Sequence, residues 1–150
     1  MTMKNLLRAT KITRFDIEAF LIGAAFIWVG IYHFLNQGFF EAIVPTWFPY
    51  PKLANLTSGV TEIILGAGLM IRKYRRFASW GLLILLALVY PANIDMFIND
   101  VDTATNAAGV TERIVDADGV RVRNFIRLPF QLLFAWLVWR HTKVQPPKVE

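Results

Sequence analysis

The sequence predicts an all-α membrane protein: a four-helix transmembrane bundle with a short outer β-hairpin in the connection between the third and fourth helices. Three observations carry that expectation. Of the 150 residues, 55% are hydrophobic and only 18% charged, an unusual balance for a soluble domain of this size. Four stretches are nearly free of charge over lengths close to the roughly 20 residues that a helix needs to cross a hydrocarbon core. Lys and Arg gather on alternate connections, as they do on the cytoplasmic side of membrane proteins.

The first span covers residues 17–35 (IEAFLIGAAFIWVGIYHFL), with Glu18 at its start and His33 near its far end. No small-residue cleavage site follows, and the run is long enough to span, so a retained helix is expected rather than a secretory signal. The connection after it, NQGFFEAIVPTWFPYPK, holds Pro45, Pro49 and Pro51, which exclude a long helix or a strand. Its Trp47, Phe48 and Tyr50 are expected at head-group depth as anchors, with a cap over a cavity as the alternative.

The second span, residues 53–71 (LANLTSGVTEIILGAGLMI), carries Glu62 close to its middle. Its small residues Ser58, Gly59, Gly66 and Ala67 permit close helix contact and should face the bundle. The third span, residues 77–98, contains Pro91, which leaves the carbonyl of Ala87 without its usual donor and bends the helix. Residues 99–124 form the only long polar stretch, and within it ERIV-DADG-VRVR predicts a hairpin turning at Asp118 and Gly119. The fourth span, residues 125–140, has Pro129 near its start. Trp28, Trp80, Trp136 and Trp139 are expected to pack between helices or sit at interfaces.

Closely spaced spans and a chain of this length predict one domain, residues 1–150. Eleven Lys and Arg fall on the N-terminal segment (Lys4, Arg8, Lys11, Arg14), the second-to-third connection (Arg72, Lys73, Arg75, Arg76) and the tail (Arg140, Lys143, Lys148). Five, Lys52, Arg113, Arg121, Arg123 and Arg127, fall on the other side. Both termini are therefore expected in the cytoplasm, with the chain integral to the cell (inner) membrane. The net charge of +5 reflects this topology and attraction to membrane lipids, so nucleic acid is not an expected partner. Cysteine is absent, which excludes thiol exchange, thiolate metal sites and iron–sulfur ligation.

An ionisable side chain at mid-membrane costs a few kcal/mol, so it normally faces the interior with a partner or a task. Counting about 1.5 Å of rise per residue puts Glu62 roughly 14 Å inside the outer end of its span, with Ser58 one turn above it. His33, Asn93, Asp95, Arg127 and Gln131 fall in the outer third of their own spans. The candidate site is therefore an outward-facing pocket of His33, Ser58, Glu62, Asn93, Arg127 and Gln131. Such a pocket suits the polar head of a quinone or lipid, with Glu62 and His33 as a proton relay. A purely structural network, in which Arg127 and His33 satisfy Glu62, is the competing reading. No metal is expected, since His33 and Glu62 are a thin ligand set and His141 lies at the opposite face.

Several motifs then stand in a familiar order: G-x-x-H-F at Gly30 to Phe34, V-P-x-x-x-P-x-P from Val44 to Pro51, and S-G-V-x-E from Ser58 to Glu62. G-x-G-L at Gly66 to Leu69, the basic turn Arg72 to Arg76, P-A-N-I at Pro91 to Ile94 and R-L-P-x-Q at Arg127 to Gln131 follow. Over about residues 17–140 the chain resembles the DoxX-like membrane proteins. That resemblance implies a four-helix membrane protein with His33, Glu62, Asn93 and Arg127 at polar positions. It also implies a link to redox assemblies, since some members associate with thiosulfate:quinone oxidoreductases. The connection over residues 99–124 looks longer than in compact members, which suggests a docking surface for a membrane or periplasmic protein. The leading expectation is a membrane subunit or accessory protein of a redox or envelope assembly that binds a quinone or lipid head group, with no covalent cofactor. An autonomous quinone-linked oxidoreductase and a ligand-free assembly protein remain open.

Overall fold

The computed structural model describes residues 12–143; Lys4, Arg8, Lys11 and Lys148, which entered the charge count, lie outside them. Helix α1 spans Arg14–Leu35 and begins in a reciprocal cap. Thr13 Oγ1 accepts the Asp16 N–H at 3.3 Å, while the Asp16 carboxylate accepts the Thr13 N–H at 2.8 Å. A short helix α2 (Gln37–Ala42) follows, and the proline-spaced loop leads to α3 (Pro51–Met70), with Pro51 in the first turn where no amide donor is needed. Helix α4 (Arg75–Ile98) runs through Pro91. Strands β1 (Asp102–Thr105) and β2 (Thr111–Ile114) pair antiparallel, and α5 (Arg121–Arg140) ends in a 3-10 turn at His141–Lys143.

Helices α1, α3 and α4 are each long and apolar enough to cross a membrane. They start two residues or more before the apolar runs because Arg14, Asp16, Lys52, Arg75 and Arg76 are helical without being hydrophobic. Helix α5 has the 20 residues of α3 but carries Arg121, Arg123, Arg127 and Arg140. The faces turned away from neighbouring helices are apolar, as Trp28, Phe77, Leu88 and Phe130 illustrate at more than half exposed. Burying such patches requires lipid or protein.

The tightest contact joins α1 to α3, which run antiparallel with glycine facing glycine. A Cβ placed on Gly23 would lie 2.5 Å from the Gly66 carbonyl oxygen, and one on Gly30 would lie 2.7 Å from that of Gly59. Only backbones without side chains approach so closely. Helix α4 lies against α3, where Gly68 meets Ala78 and Gly81 receives Leu65. Helix α5 packs on α4 and reaches α1 through Phe134, edge-on to Phe26 with ring centroids 6.0 Å apart. Ala19, Ile22, Phe26, Leu69, Ala78, Leu82 and Val138 form the apolar core.

A hairpin occupies the third-to-fourth connection, but its place differs from the sequence expectation. It turns at Asn106 to Val110 rather than at Asp118 and Gly119. The Asn106 side-chain oxygen accepts the N–H groups of Ala108 and Val110 at 3.0 Å each, and Gly109 supplies the positive φ of 79°. The expected return strand VRVR instead opens α5. There Asn124 donates to the carbonyls of Met96 and Val101 at 2.9 Å, and Arg121 and Arg123 pair with Asp100 and Asp102. Gly119 keeps a left-handed φ of 76°, so the turn signal was real but marks the entry to a helix.

Candidate functional site

The site grows from the stripe along which α1 and α3 meet. On α3 the buried residues Asn55, Gly59, Glu62, Gly66 and Leu69 recur at alternating steps of four and three, as do Ala19, Gly23, Phe26, Gly30 and His33 on α1. Gly59 leaves the space that His33 needs: a Cβ there would lie 2.7 Å from His33 Cβ. Because Cα–Cβ bonds tilt toward the helix N-terminus and the two helices run oppositely, His33 and Glu62 lean toward one another. His33 Nε2 lies 3.5 Å from Glu62 Oε2, and both residues are 8% exposed.

Asn55 sets the orientation of the imidazole. Its Nδ2 donates to the His33 backbone carbonyl at 3.3 Å, and its Oδ1 lies 2.7 Å from His33 Nδ1. An amide that donates through its nitrogen must accept through its oxygen. His33 Nδ1 therefore carries hydrogen, and a neutral ring presents the bare Nε2 to Glu62, an assignment that follows from this bonding pattern. Glu62 Oε2 is buried and has no hydrogen-bond partner among the described residues.

The roof is aromatic. Phe40 stacks on His33 with centroids 3.6 Å apart and planes 21° from parallel, and Phe39 meets Phe40 edge-on. Both sit on α2, which is held from outside by the hairpin: Gly38 lies so close to Thr111 that a Cβ would be 2.6 Å from its Oγ1. In the loop beyond, Trp47 and Tyr50 are about two-thirds exposed, the disposition of interface anchors. Between loop and hairpin an open depression of about 380 Å³ is lined by Glu41, Phe48, Pro49 and Arg113.

The six residues singled out by sequence divide into separate groups. His33 and Glu62 meet directly. Asn93 and Gln131 bond to one another, and Gln131 Nε2 donates to the Leu86 carbonyl at 2.6 Å. Arg127 does not serve Glu62 among the described residues; it reaches Met96 Sδ at 3.2 Å and lies over the Phe39 ring at 5.9 Å. Ser58 is half-buried and makes no side-chain hydrogen bond among them. Sequence reasoning missed Asn55, although it lies two turns before Glu62 on the same face. Phe40 lies outside the spans and carried no signal.

A second polar group closes the other end of the bundle. Asp16 accepts from Arg72 Nε at 2.8 Å and from Arg75 Nη1 at 3.0 Å, and Arg75, 2% exposed, also caps the Leu69 carbonyl at 3.0 Å. Glu18 pairs with Arg140 at 3.1 Å and lies 3.5 Å from fully buried His141. Burial pushes the His141 imidazole below its ordinary value of 6.5, with Glu18 opposing. In the outer connection, Arg123 and the Thr103 N–H hold Asp102 below the usual carboxylate range.

These features define a helical protein with three helices fit to cross a membrane and a buried His–Glu pair between two of them. The chain belongs to the family described as domain of unknown function DUF8561, whose family model matches residues 22–142. No curated protein and no solved structure matches it.

Proposed function

We propose that the protein is an inner-membrane subunit or accessory factor that binds the polar head of a quinone or lipid beside His33 and Glu62, with all four long helices crossing the bilayer. In this reading α5 is the fourth span and both termini are cytoplasmic, which the surplus of Lys and Arg on alternate connections supports. Asn93 and Gln131 tie α4 to α5 as a separate polar group, and residues 99–124 offer a surface to a partner protein. Kinship with DoxX-like proteins rests on the motif order and belongs to the same proposal.

The observation that carries the reading is the incomplete bonding of Glu62. A buried carboxyl in the middle of an apolar helix, its Oε2 3.5 Å from His33 Nε2 and without a hydrogen bond among the described residues, has hydrogen-bonding capacity left unused there. A ligand head group would use it. Native mass spectrometry of gently solubilised protein, wild type beside Glu62→Gln, with analysis of extracted lipids, tests this. An amphipathic ligand retained by wild type and lost in the variant is expected; two ligand-free proteins would rule the pocket out.

The Asn93–Gln131 bond favours a second reading, in which the polar groups only fix helix register and the protein serves assembly. Under it no ligand is found, Glu62→Gln changes stability alone, and another polypeptide copurifies.

A further inference from the structure

We propose that His33 and Glu62 hold one proton between them, form a pair that is uncharged overall, and therefore select an uncharged head group bearing hydroxyl groups rather than a phosphate. The inference rests on the pocket reading above and narrows its ligand.

The first step is the tautomer. Asn55 donates to the His33 carbonyl at 3.3 Å and must accept from Nδ1 at 2.7 Å, so Nε2 of the neutral ring is an acceptor. An acceptor facing a carboxylate would set two lone pairs against each other. The contact becomes favourable with one added proton, held as Glu62–OH donating to Nε2 or as imidazolium beside carboxylate. Both forms are neutral, and an apolar surrounding favours the neutral total.

The second step is the missing cation. Arg127, which depth along α5 groups with Glu62, is turned to Met96 and Phe39, and no Lys or Arg pairs with Glu62 among the described residues. A phosphate placed beside this carboxyl would meet no countercharge. A hydroxyl can donate to an oxygen of Glu62 that the shared proton leaves free, and Phe40, flat on His33, gives the site an aromatic wall. Quinols and neutral glycerolipids both carry this chemistry.

Two measurements on the full chain in lipid nanodiscs test it. Infrared spectra at neutral pH should show a protonated-carboxyl stretch in wild type that Glu62→Gln removes; its absence, with His33 shown neutral by nitrogen NMR, overturns the shared proton. Binding is then compared for a short-chain benzoquinol, monoolein and dioleoylphosphatidic acid. One or both neutral probes should bind, about tenfold more weakly to Glu62→Gln, with phosphatidic acid indifferent to the substitution. Which neutral probe binds separates quinol from glycerolipid. Phosphatidic acid binding in a Glu62-dependent manner, with the neutral probes inert, overturns the selectivity and leaves the pocket. No Glu62-dependent binding of any probe sinks both. Should Glu62→Gln fail to fold, His33→Gln serves the same comparison.

Discussion

Asn55 grips His33 at two points, the ring through Nδ1 at 2.7 Å and the backbone carbonyl through its own Nδ2 at 3.3 Å. One side chain on α3 thus fixes both the position and the tautomer of a residue on α1. Interhelical bonds in membranes average roughly 0.6 kcal/mol, but a buried donor left unpaired costs about 1–3 kcal/mol. Asn55→Leu should therefore destabilise the protein by about 1–2 kcal/mol in reversible unfolding. It should also weaken ligand retention while Glu62 is intact. Unchanged stability would mean that the imidazole finds another partner.

Gly30→Ala should separate α1 from α3, because the added Cβ would lie 2.7 Å from the Gly59 carbonyl oxygen and 3.1 Å from Glu62 Cβ. Overpacking of this kind costs about 1–3 kcal/mol, which exceeds the up to ~1 kcal/mol that alanine gains in helix propensity. A lowered unfolding temperature is expected, with disturbance of the His33 environment as a second readout. A variant as stable as wild type would show that the interface is looser than the glycine contacts imply.

Stability should fall on acidification through His141. Its folded value lies below 6.5, so between 6.5 and that lower value the unfolded chain binds the proton and the folded chain does not. The stabilisation is full above 6.5 and is lost as pH falls through this window. His141→Gln should flatten that part of a stability–pH curve; a decline as steep as in wild type would assign it to other groups. Asp102, with its depressed value, adds a smaller loss on falling below 3.8, kept small because the Asp102 and Arg123 side chains are 35% and 49% exposed.

The chain contains no cysteine, so single cysteines report sidedness without background. With four crossings, Lys73→Cys and Lys143→Cys should resist an impermeant maleimide in intact cells, while Asn106→Cys in the hairpin turn reacts. Labelling at position 143 from outside would place both ends of α5 on one side of the membrane.

The helices were legible because hydrophobic runs near twenty residues long leave few alternatives, and the charged first turns account for their earlier starts. The hairpin was half legible. Asp118 and Gly119 offered the turn that the sequence reading used, and the tertiary bonds of Asn124 to Met96 and Val101 hold a helix after Gly119 instead. Within the site, depth counting found His33 and Glu62 because each is an ionisable group in an apolar run. It grouped Arg127 with them, whereas the guanidinium reaches Met96 and Phe39, because depth along a helix says nothing of which neighbour a long side chain faces. Asn55 was hidden among uncharged residues, although the period of four and three shared with Gly59 and Glu62 pointed to it.

The glycine contact between α1 and α3 also bears on biosynthesis. Its partners, Gly23 with Gly66 and Gly30 with Gly59, all precede residue 71, and so do His33, Asn55 and Glu62. A nascent chain can complete the pair as soon as its second hydrophobic helix leaves the translocon, before α4 has followed it into the bilayer. The costly carboxyl of Glu62 would then meet His33 while still beside the translocon, so it need never face lipid alone, and α4 and α5 would be added to a hairpin that is already closed.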